Sequence, residues 1–253
     1  DRFEEVLLQI LPHVSGVSIT GGEPMLFPEI TDQIIGITDR VSGSSLEIDL
    51  VTNGTDLRRL SELTNLPKLS TIHISRHHTD DSVNRRLMDW AGAPSMEEIT
   101  KLMSGMKDPG AVVLNCVLQR GGVSSMEDVC GYLSMAAAAG IRNTSFITMF
   151  DCNEFTRQNR VSPAQFPVMS GEDEAKEALQ RIGRKYGMRF ALWNHLHDYD
   201  HCSCVTGSCA TAQGETGFYF RCPGTAQSAA YCRQLVYTAD DRLRDGFGGK
   251  LLK

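Results

Sequence analysis

The sequence predicts an α/β fold built around a parallel sheet. Segments with the alternating or continuous apolar pattern of strands take turns along the chain with segments that show the apolar spacing of helices. The connections between successive strands are long enough for the crossovers that parallel strands require. Six such units suit either an open doubly wound sheet or a partial barrel, and periodicity alone does not separate these two architectures.

The predicted strands are short and bounded by polar or glycine-rich segments. The segment 46–52 alternates apolar and polar residues, whereas the segment 111–118 is almost continuously apolar, as in a strand buried on both faces. Strands are predicted at residues 16–20, 46–52, 71–75, 111–118, 143–150 and 188–193.

The predicted helices have apolar residues at three- and four-residue spacing. Two of them begin with capping boxes, Ser95-x-x-Glu98 and Ser124-x-x-Glu127. Helices are predicted at residues 3–12, 28–41, 56–63, 80–88, 96–103, 126–139 and 172–186. The polar segment 151–170 is predicted to be a long loop near the active site. The regular alternation ends at about residue 195.

Composition narrows the classes of function. The chain of 253 residues has 41% hydrophobic and 22% charged residues, which is ordinary for a globular protein. Its formal net charge of −6 argues against nucleic acid or an anionic membrane as a partner. The sequence contains neither a run of about 18 apolar residues nor a signal peptide, so a cytoplasmic location is expected.

The most informative short segment is Gly21-Gly22-Glu23-Pro24, at the end of the first predicted strand. Two residues without Cβ let a ligand approach the backbone, and Glu23 adds a carboxylate at the strand end. Ligands of parallel α/β proteins bind at the carboxyl ends of the strands. A tight strand-to-loop turn without a ligand is the alternative for this segment.

The strand ends together resemble the radical S-adenosylmethionine (radical SAM) superfamily. The resemblance covers residues 1–195, and its most specific feature is the Gly-Gly-Glu-Pro segment followed roughly 30 residues later by Val-Thr-Asn-Gly. Within that superfamily the chain looks most similar to the molybdenum-cofactor GTP cyclase and to peptide-modifying enzymes with C-terminal auxiliary clusters. The resemblance implies a partial (β/α)6 barrel, lacking here its first strand and cluster loop.

The resemblance also implies cofactor-binding residues. The family's Gly-Gly-Glu motif binds the amino group of the methionine part of SAM, which implies this role for Gly21, Gly22, Glu23 and Pro24. Polar residues that end later strands contact the methionine carboxylate or the ribose in the family. The corresponding or neighbouring residues are Thr52, Asn53, Ser75, Arg76, Asn115 and Met149.

One departure from the family concerns its iron–sulfur cluster. The family binds a [4Fe-4S] cluster through Cys-x3-Cys-x2-Cys after the first barrel strand, and this sequence lacks that motif. The resemblance implies that these ligands lie upstream of Asp1; a degenerate family member without a cluster is the alternative. The implied reaction is reductive cleavage of SAM, followed by abstraction of a hydrogen atom from the substrate by the 5′-deoxyadenosyl radical.

A cysteine-rich segment follows the predicted core. Five of the eight cysteines lie within 31 residues, at positions Cys202, Cys204, Cys209, Cys222 and Cys232. This clustering favours metal ligation over a disulfide framework. Three interpretations stay open: an auxiliary Fe–S cluster, a structural zinc, and free or disulfide-paired thiols, with His201 as a replacement ligand in either metal site.

Three further residues are candidates for the chemistry itself. His77 and His78 follow the third predicted strand and suit proton transfer or substrate binding, unless they belong to a solvated loop. Cys152 lies on the long polar connection and is a candidate substrate-side thiol. Cys116 and Cys130 are expected in the core.

The sequence therefore predicts two domains, a radical SAM core at 1–195 and a cysteine-rich metal-binding module at 196–253. The predicted function is radical chemistry on a peptide or a small-molecule metabolite, in ribosomal peptide maturation or cofactor biosynthesis. A reductase or flavodoxin-type electron donor is the expected partner. The alternative from another class is a non-catalytic α/β binding protein stabilised by zinc.

Overall fold

The computed structural model of the protein describes residues 2–149, 153–196, 204–221, 235–244 and 251. Its strands are β1 (Gly16–Ile19), β2 (Glu47–Thr52), β3 (Thr71–Ser75), β4 (Val112–Leu118), β5 (Asn143–Thr148), β6 (Arg189–Leu196), β7 (Cys204–Thr211), β8 (Gly214–Arg221), β9 (Val236–Thr238) and β10 (Arg242–Arg244). Its helices are α1 (Arg2–Ile10), α2 (Pro28–Ser42), α3 (Leu57–Ser61), α4 (Asp81–Leu87), α5 (Met96–Ser104), α6 (Met126–Ala138), α7 (Glu154–Asn159) and α8 (Glu172–Tyr186).

Eight strands form one mixed sheet in the order β1-β2-β3-β4-β5-β8-β7-β6. Strands β1 to β5 are parallel to one another, and β8 is parallel to β5. Strands β7 and β6 complete the sheet in antiparallel pairing. Strands β9 and β10 form a separate antiparallel hairpin. The carboxyl ends of β1 to β5 and of β8 therefore lie along one edge of the sheet.

The sixth position of the parallel sheet is occupied by a strand that the sequence prediction missed. The predicted strand 188–193 exists as β6, but it pairs with β7 at the far edge, and β8 lies beside β5 instead. Aromatic packing accounts for this arrangement, because Phe220 of β8 stacks on Phe146 of β5 with ring centroids 4.8 Å apart. Since β6 and β7 belong to one sheet, the predicted domain boundary at 195/196 falls inside a continuous sheet.

The two faces of the parallel sheet differ in chemistry. One face is apolar and fully buried under the helices, with Ile48, Leu50, Ile72, Ile74 and Leu114 in the core. The alternate residues of the same strands point to the opposite face, which we call the polar face. In β2 to β5 and β8 this face carries Asp49, Thr71, His73, Ser75, Asn115, Ser145 and Tyr219.

The helices agree with the predicted pattern except at two places. Ser95 and Glu98 form the predicted capping box of α5. The N-cap of α6 is Ser125 instead of Ser124, because Asp128 rather than the predicted Glu127 accepts hydrogen bonds from the capping serines. The predicted loop 151–170 contains α7 and two short 3-10 turns. Of the helices that the structure describes, none is long and apolar enough to cross a membrane.

Candidate functional site

The carboxylate of Glu23 joins the ends of β1 and β2. Its Oε1 accepts hydrogen bonds from the backbone N–H of Met25, at 2.9 Å, and from Thr52 Oγ1, at 2.5 Å. Its Oε2 accepts from the backbone N–H of Asn53 at 2.7 Å. Thr52 Oγ1 in turn accepts from the backbone N–H of Gly54 at 3.0 Å. These bonds connect residues about 30 positions apart, so the two predicted motifs form one site.

This carboxylate has acceptor capacity left for one more donor. An ionised carboxylate offers about four lone-pair directions, and three are used by the described donors. The fourth, on Oε2, suits an ammonium group, which is a strong charge-assisted partner. Glu23 is therefore fixed in orientation and still able to bind a cation.

The two glycines that precede Glu23 leave the neighbouring backbone accessible. Gly21 and Gly22 have φ angles of +91° and +56°, which L side chains rarely adopt. A Cβ at either position would meet no atom within 4 Å, so the space beside both residues is open. Both are exposed. The site therefore has room for a ligand that places an ammonium group on Glu23 and lies against the backbone of the two glycines.

The polar face continues the site toward β3 and β4. Ser75 and Asn115 are register partners on these neighbouring strands, and both are half-buried. Asn115 Oδ1 lies 3.1 Å from His73 Nδ1. Since the amide oxygen only accepts, His73 donates from Nδ1, and the NH2 group of Asn115 keeps its donors for another partner. Ser75 and Asn115 thus present polar groups two and three strands away from Glu23, in the direction that the resemblance implies.

His77 is a neutral histidine with a defined tautomer. Its backbone N–H donates to Asn84 Oδ1 at 2.7 Å, and its Nδ1 accepts from the backbone N–H of Val117 at 3.1 Å. The neutral ring therefore carries its proton on Nε2. Burial lowers the pKa of His77 to about 4, against a smaller opposing effect of the Arg76 backbone. At neutral pH His77 can donate a hydrogen bond from Nε2 but carries no charge.

Arg76 is bonded inside the fold, next to the end of β3. Its side chain is fully buried and donates to Asp81 Oδ1 at 2.7 Å, to the carbonyl of Thr79 at 2.8 Å and to the carbonyl of Pro94 at 3.3 Å. The Tyr132 hydroxyl donates to the Arg76 carbonyl at 2.8 Å. These bonds hold the Arg76 side chain inside the fold, and its contact with SAM stays a prediction. Arg76 also fixes the segment that carries Ser75 and His77.

The remaining predicted residues divide between the edge of the sheet and the turns around it. Met149 follows β5 directly and is half-buried at the same edge as Glu23. Pro24 begins the 3-10 turn that Glu23 caps. His78 Nδ1 accepts from the backbone N–H of Asp80 at 2.9 Å, so this histidine supports the turn before α4. Cys152 lies outside the described residues.

Two of the five predicted metal ligands lie on one described strand. Cys209 is fully buried in the core, and burial raises the pKa of its thiol to about 12. Cys204 begins the same strand five residues earlier. Cys209 shares its burial with Cys116 and Cys130, whose predicted place in the core is confirmed.

The other predicted ligands, Cys202, Cys222 and Cys232, lie outside the described residues, as does His201. Within residues that the structure describes, no group of three or more His, Cys, Asp or Glu side chains could hold a metal ion.

Two residues of β8 extend the polar face and were not predicted. Tyr219 is the register partner of Ser145, which is itself the register partner of Asn115. Arg221 pairs with Ile147 and ends β8 as an exposed cation at the carboxyl edge of the sheet. The alternation of Phe218 and Phe220 with Tyr219 is the sequence signal that could have located this strand.

Comparison with known proteins places the chain in a family. Residues 1–151 match the family model described as the radical SAM superfamily. No curated protein matches the sequence significantly. The structure is similar to Streptococcus suis SuiB, with a TM-score of 0.52 and 16% identity over 73% of this chain and 40% of SuiB. For SuiB bound to S-adenosylmethionine the TM-score is 0.54, with 15% identity over 95% of this chain and 47% of SuiB.

The matched region covers more than half of the sequence, and the chain belongs to the radical SAM superfamily. The family model confirms the predicted family, and the mostly parallel α/β sheet, similar to that of SuiB, confirms the predicted fold class. The cysteine-rich extension stays a prediction. The chain spans less than half the length of SuiB. The resemblance to particular members of the superfamily stays a prediction.

Proposed function

We propose that this protein is a radical SAM enzyme that binds SAM at the carboxyl edge of β1 to β5. The observation that carries the proposal is Glu23, an oriented carboxylate with one acceptor direction left beside two open glycines. Thr52 and Asn53 act by holding this carboxylate, and Ser75 and Asn115 offer polar groups for the methionine carboxylate or the ribose. Membership of the superfamily supports this assignment.

The chemistry depends on groups that the protein must bind. SAM and a [4Fe-4S] cluster, when bound, supply a 5′-deoxyadenosyl radical that abstracts a hydrogen atom. The described residues bind and orient SAM and shape the space for the substrate. The sequence has no Cys-x3-Cys-x2-Cys motif, so the proposal requires cluster ligands from outside these 253 residues. A reductase or flavodoxin-type donor would supply the electron.

We propose that the substrate, a peptide or a small metabolite, lies against the polar face. His77 suits this site because its Nε2–H is available for hydrogen bonding and it stays neutral at pH 7. Tyr219 and Arg221 extend the same face along β8. An auxiliary metal site stays part of the proposal, with Cys202, Cys204, Cys222 and Cys232 as its ligands and without Cys209.

Spectroscopy of the reconstituted protein tests the proposed cofactors. The full-length protein is reconstituted anaerobically with iron and sulfide, reduced with dithionite, and measured by electron paramagnetic resonance with and without SAM. We expect a [4Fe-4S]+ signal whose g values change on addition of SAM, and a Glu23→Gln variant whose signal changes only at higher SAM concentrations. A colourless protein that contains only zinc would refute the enzyme and favour the zinc-stabilised binding protein.

A further inference from the structure

A cleft of about 410 Å³ lies beyond the carboxyl end of β4, between the β4–α6 connection and the segment that follows α7. Its charged and polar lining comes from Arg120, Ser124, Arg160, Ser162 and Gln165. None of the described residues that line it is acidic. Two guanidinium groups at one cleft stand out in a chain whose formal net charge is −6.

Backbone contacts hold the two walls of this cleft together. The backbone N–H of Arg120 donates to the carbonyl of Asn159 at 2.9 Å, and Gln119 forms an isolated antiparallel bridge with Arg160. Gly122 packs so closely that a Cβ there would lie 3.1 Å from the carbonyl of His77. The two arginines therefore start from fixed positions on neighbouring segments, and the wall that carries Arg120 is packed directly against the candidate site.

The charge of Arg120 is not neutralised within the part of the chain that the structure describes. This side chain is exposed and forms no ion pair with a described carboxylate. The nearby Asp128 is occupied, because it accepts hydrogen bonds from Ser124 and from the Ser125 hydroxyl. A guanidinium group binds carboxylate and phosphate oxygens in a bidentate manner, so the Arg120 side chain suits an anionic partner.

We propose that this cleft binds a carboxylate or phosphate group of the substrate. The inference rests on the proposed function, since it places the anion at the same edge of the sheet as the SAM site. Strand β4 lies two strands from β2, a separation of roughly 10 Å. A substrate anchored by its anionic group in the cleft can therefore present a C–H bond to the SAM site from about that distance.

Calorimetric titration of the full-length protein with inorganic phosphate, and separately with succinate, tests the cleft without radical chemistry. We expect millimolar or tighter binding of at least one probe, weakened at least tenfold by Arg120→Gln and less by Arg120→Lys. Arg142→Gln is the matched control, because it removes the same charge at the opposite edge of the sheet. The affinity of this variant for the anion should stay within twofold of that of the wild type. The preferred probe distinguishes a phosphate from a carboxylate site.

Equal affinity in the wild type and the Arg120→Gln variant would overturn the inference, and so would the absence of binding of both probes. SAM-dependent change of the cluster signal is measured on the same variants and should be retained in Arg120→Gln. If the wild type shows the SAM response but no Arg120-dependent anion binding, the cleft proposal alone fails. If anion binding depends on Arg120 but the SAM response is absent, the proposed function fails and the anion no longer has a role as a substrate group.

Discussion

Replacement of Glu23 by Gln tests the geometry of the candidate site most sharply. The amide keeps one acceptor oxygen, which can still serve Met25 and Thr52, but its NH2 group faces the backbone N–H of Asn53. One charge-assisted hydrogen bond is lost and two become neutral. Hydrogen bonds to charged groups contribute about 1.5–3 kcal/mol and neutral ones about 0.5–1.5 kcal/mol, so the lost bond costs about 1.5–3 kcal/mol and the two weakened bonds cost roughly 1 kcal/mol each. We therefore expect the free energy of unfolding to fall by about 3.5–5 kcal/mol.

The same substitution removes the charge that is proposed to bind the SAM ammonium. We expect the affinity for SAM to fall by roughly 10- to 100-fold, which corresponds to about 1.4–2.8 kcal/mol. Urea denaturation measures the first effect, and calorimetric titration of the cluster-containing protein with SAM measures the second.

The control is Glu29→Gln, the same chemical change at an exposed glutamate paired with Arg59, and it should alter stability by less than about 0.5 kcal/mol. Stability and SAM affinity that are unchanged by Glu23→Gln would refute the assigned role.

Three further predictions concern buried groups. The pKa of His77 is about 4 in the folded protein instead of 6.5, so between these pH values the unfolded chain binds more protons than the folded one. The contribution of neutral His77 to stability, at most about 3 kcal/mol, should therefore be complete above pH 6.5 and lost as the pH falls toward 4. Urea denaturation at several pH values in this range should show that the free energy of unfolding changes less with pH in His77→Asn than in the wild type. An equal dependence on pH would contradict the assignment. Arg76→Met should lower the free energy of unfolding, measured in urea, by about 1–3 kcal/mol, because the buried carbonyl of Pro94 loses its donor. The control Arg58→Met removes an exposed ion pair and should change stability by less than about 0.5 kcal/mol. Equal effects of the two substitutions would contradict the buried network around Arg76. Cys209→Ala should leave the iron content of the reconstituted protein unchanged, and a proportional loss of iron would show that Cys209 is a ligand.

The parts of the site that consist of consecutive residues at strand ends could be predicted from the sequence. Gly21, Gly22 and Glu23 form one strand-to-loop transition, and their positive φ angles and capping hydrogen bond are properties of neighbouring residues. Thr52 ends the next strand and Asn53 follows it, and parallel pairing of β1 with β2 brings both to Glu23. A motif at the end of each of two adjacent parallel strands is therefore sufficient to predict their proximity.

Contacts between distant segments could not be predicted in the same way. The tautomer of His77 depends on the backbone of Val117, 40 residues away, and the backbone carbonyl of Arg76 accepts a hydrogen bond from Tyr132, 56 residues away. The position of β8 beside β5 depends on packing between Phe146 and Phe220, which no local pattern encodes. For Cys209 the clustering of cysteines in the sequence conceals that a strand carries it into the core.

Formation of 5′-deoxyadenosine tests the central claim most directly. The full-length protein, reconstituted anaerobically with its cluster, is incubated with SAM and dithionite, and the products are quantified by mass spectrometry. The site around Glu23 predicts reductive cleavage of SAM to methionine and 5′-deoxyadenosine by the wild type, and at least tenfold slower formation at a SAM concentration below saturation by Glu23→Gln. A cluster-containing wild type that forms no 5′-deoxyadenosine, or a Glu23→Gln variant as active as the wild type, would contradict the account.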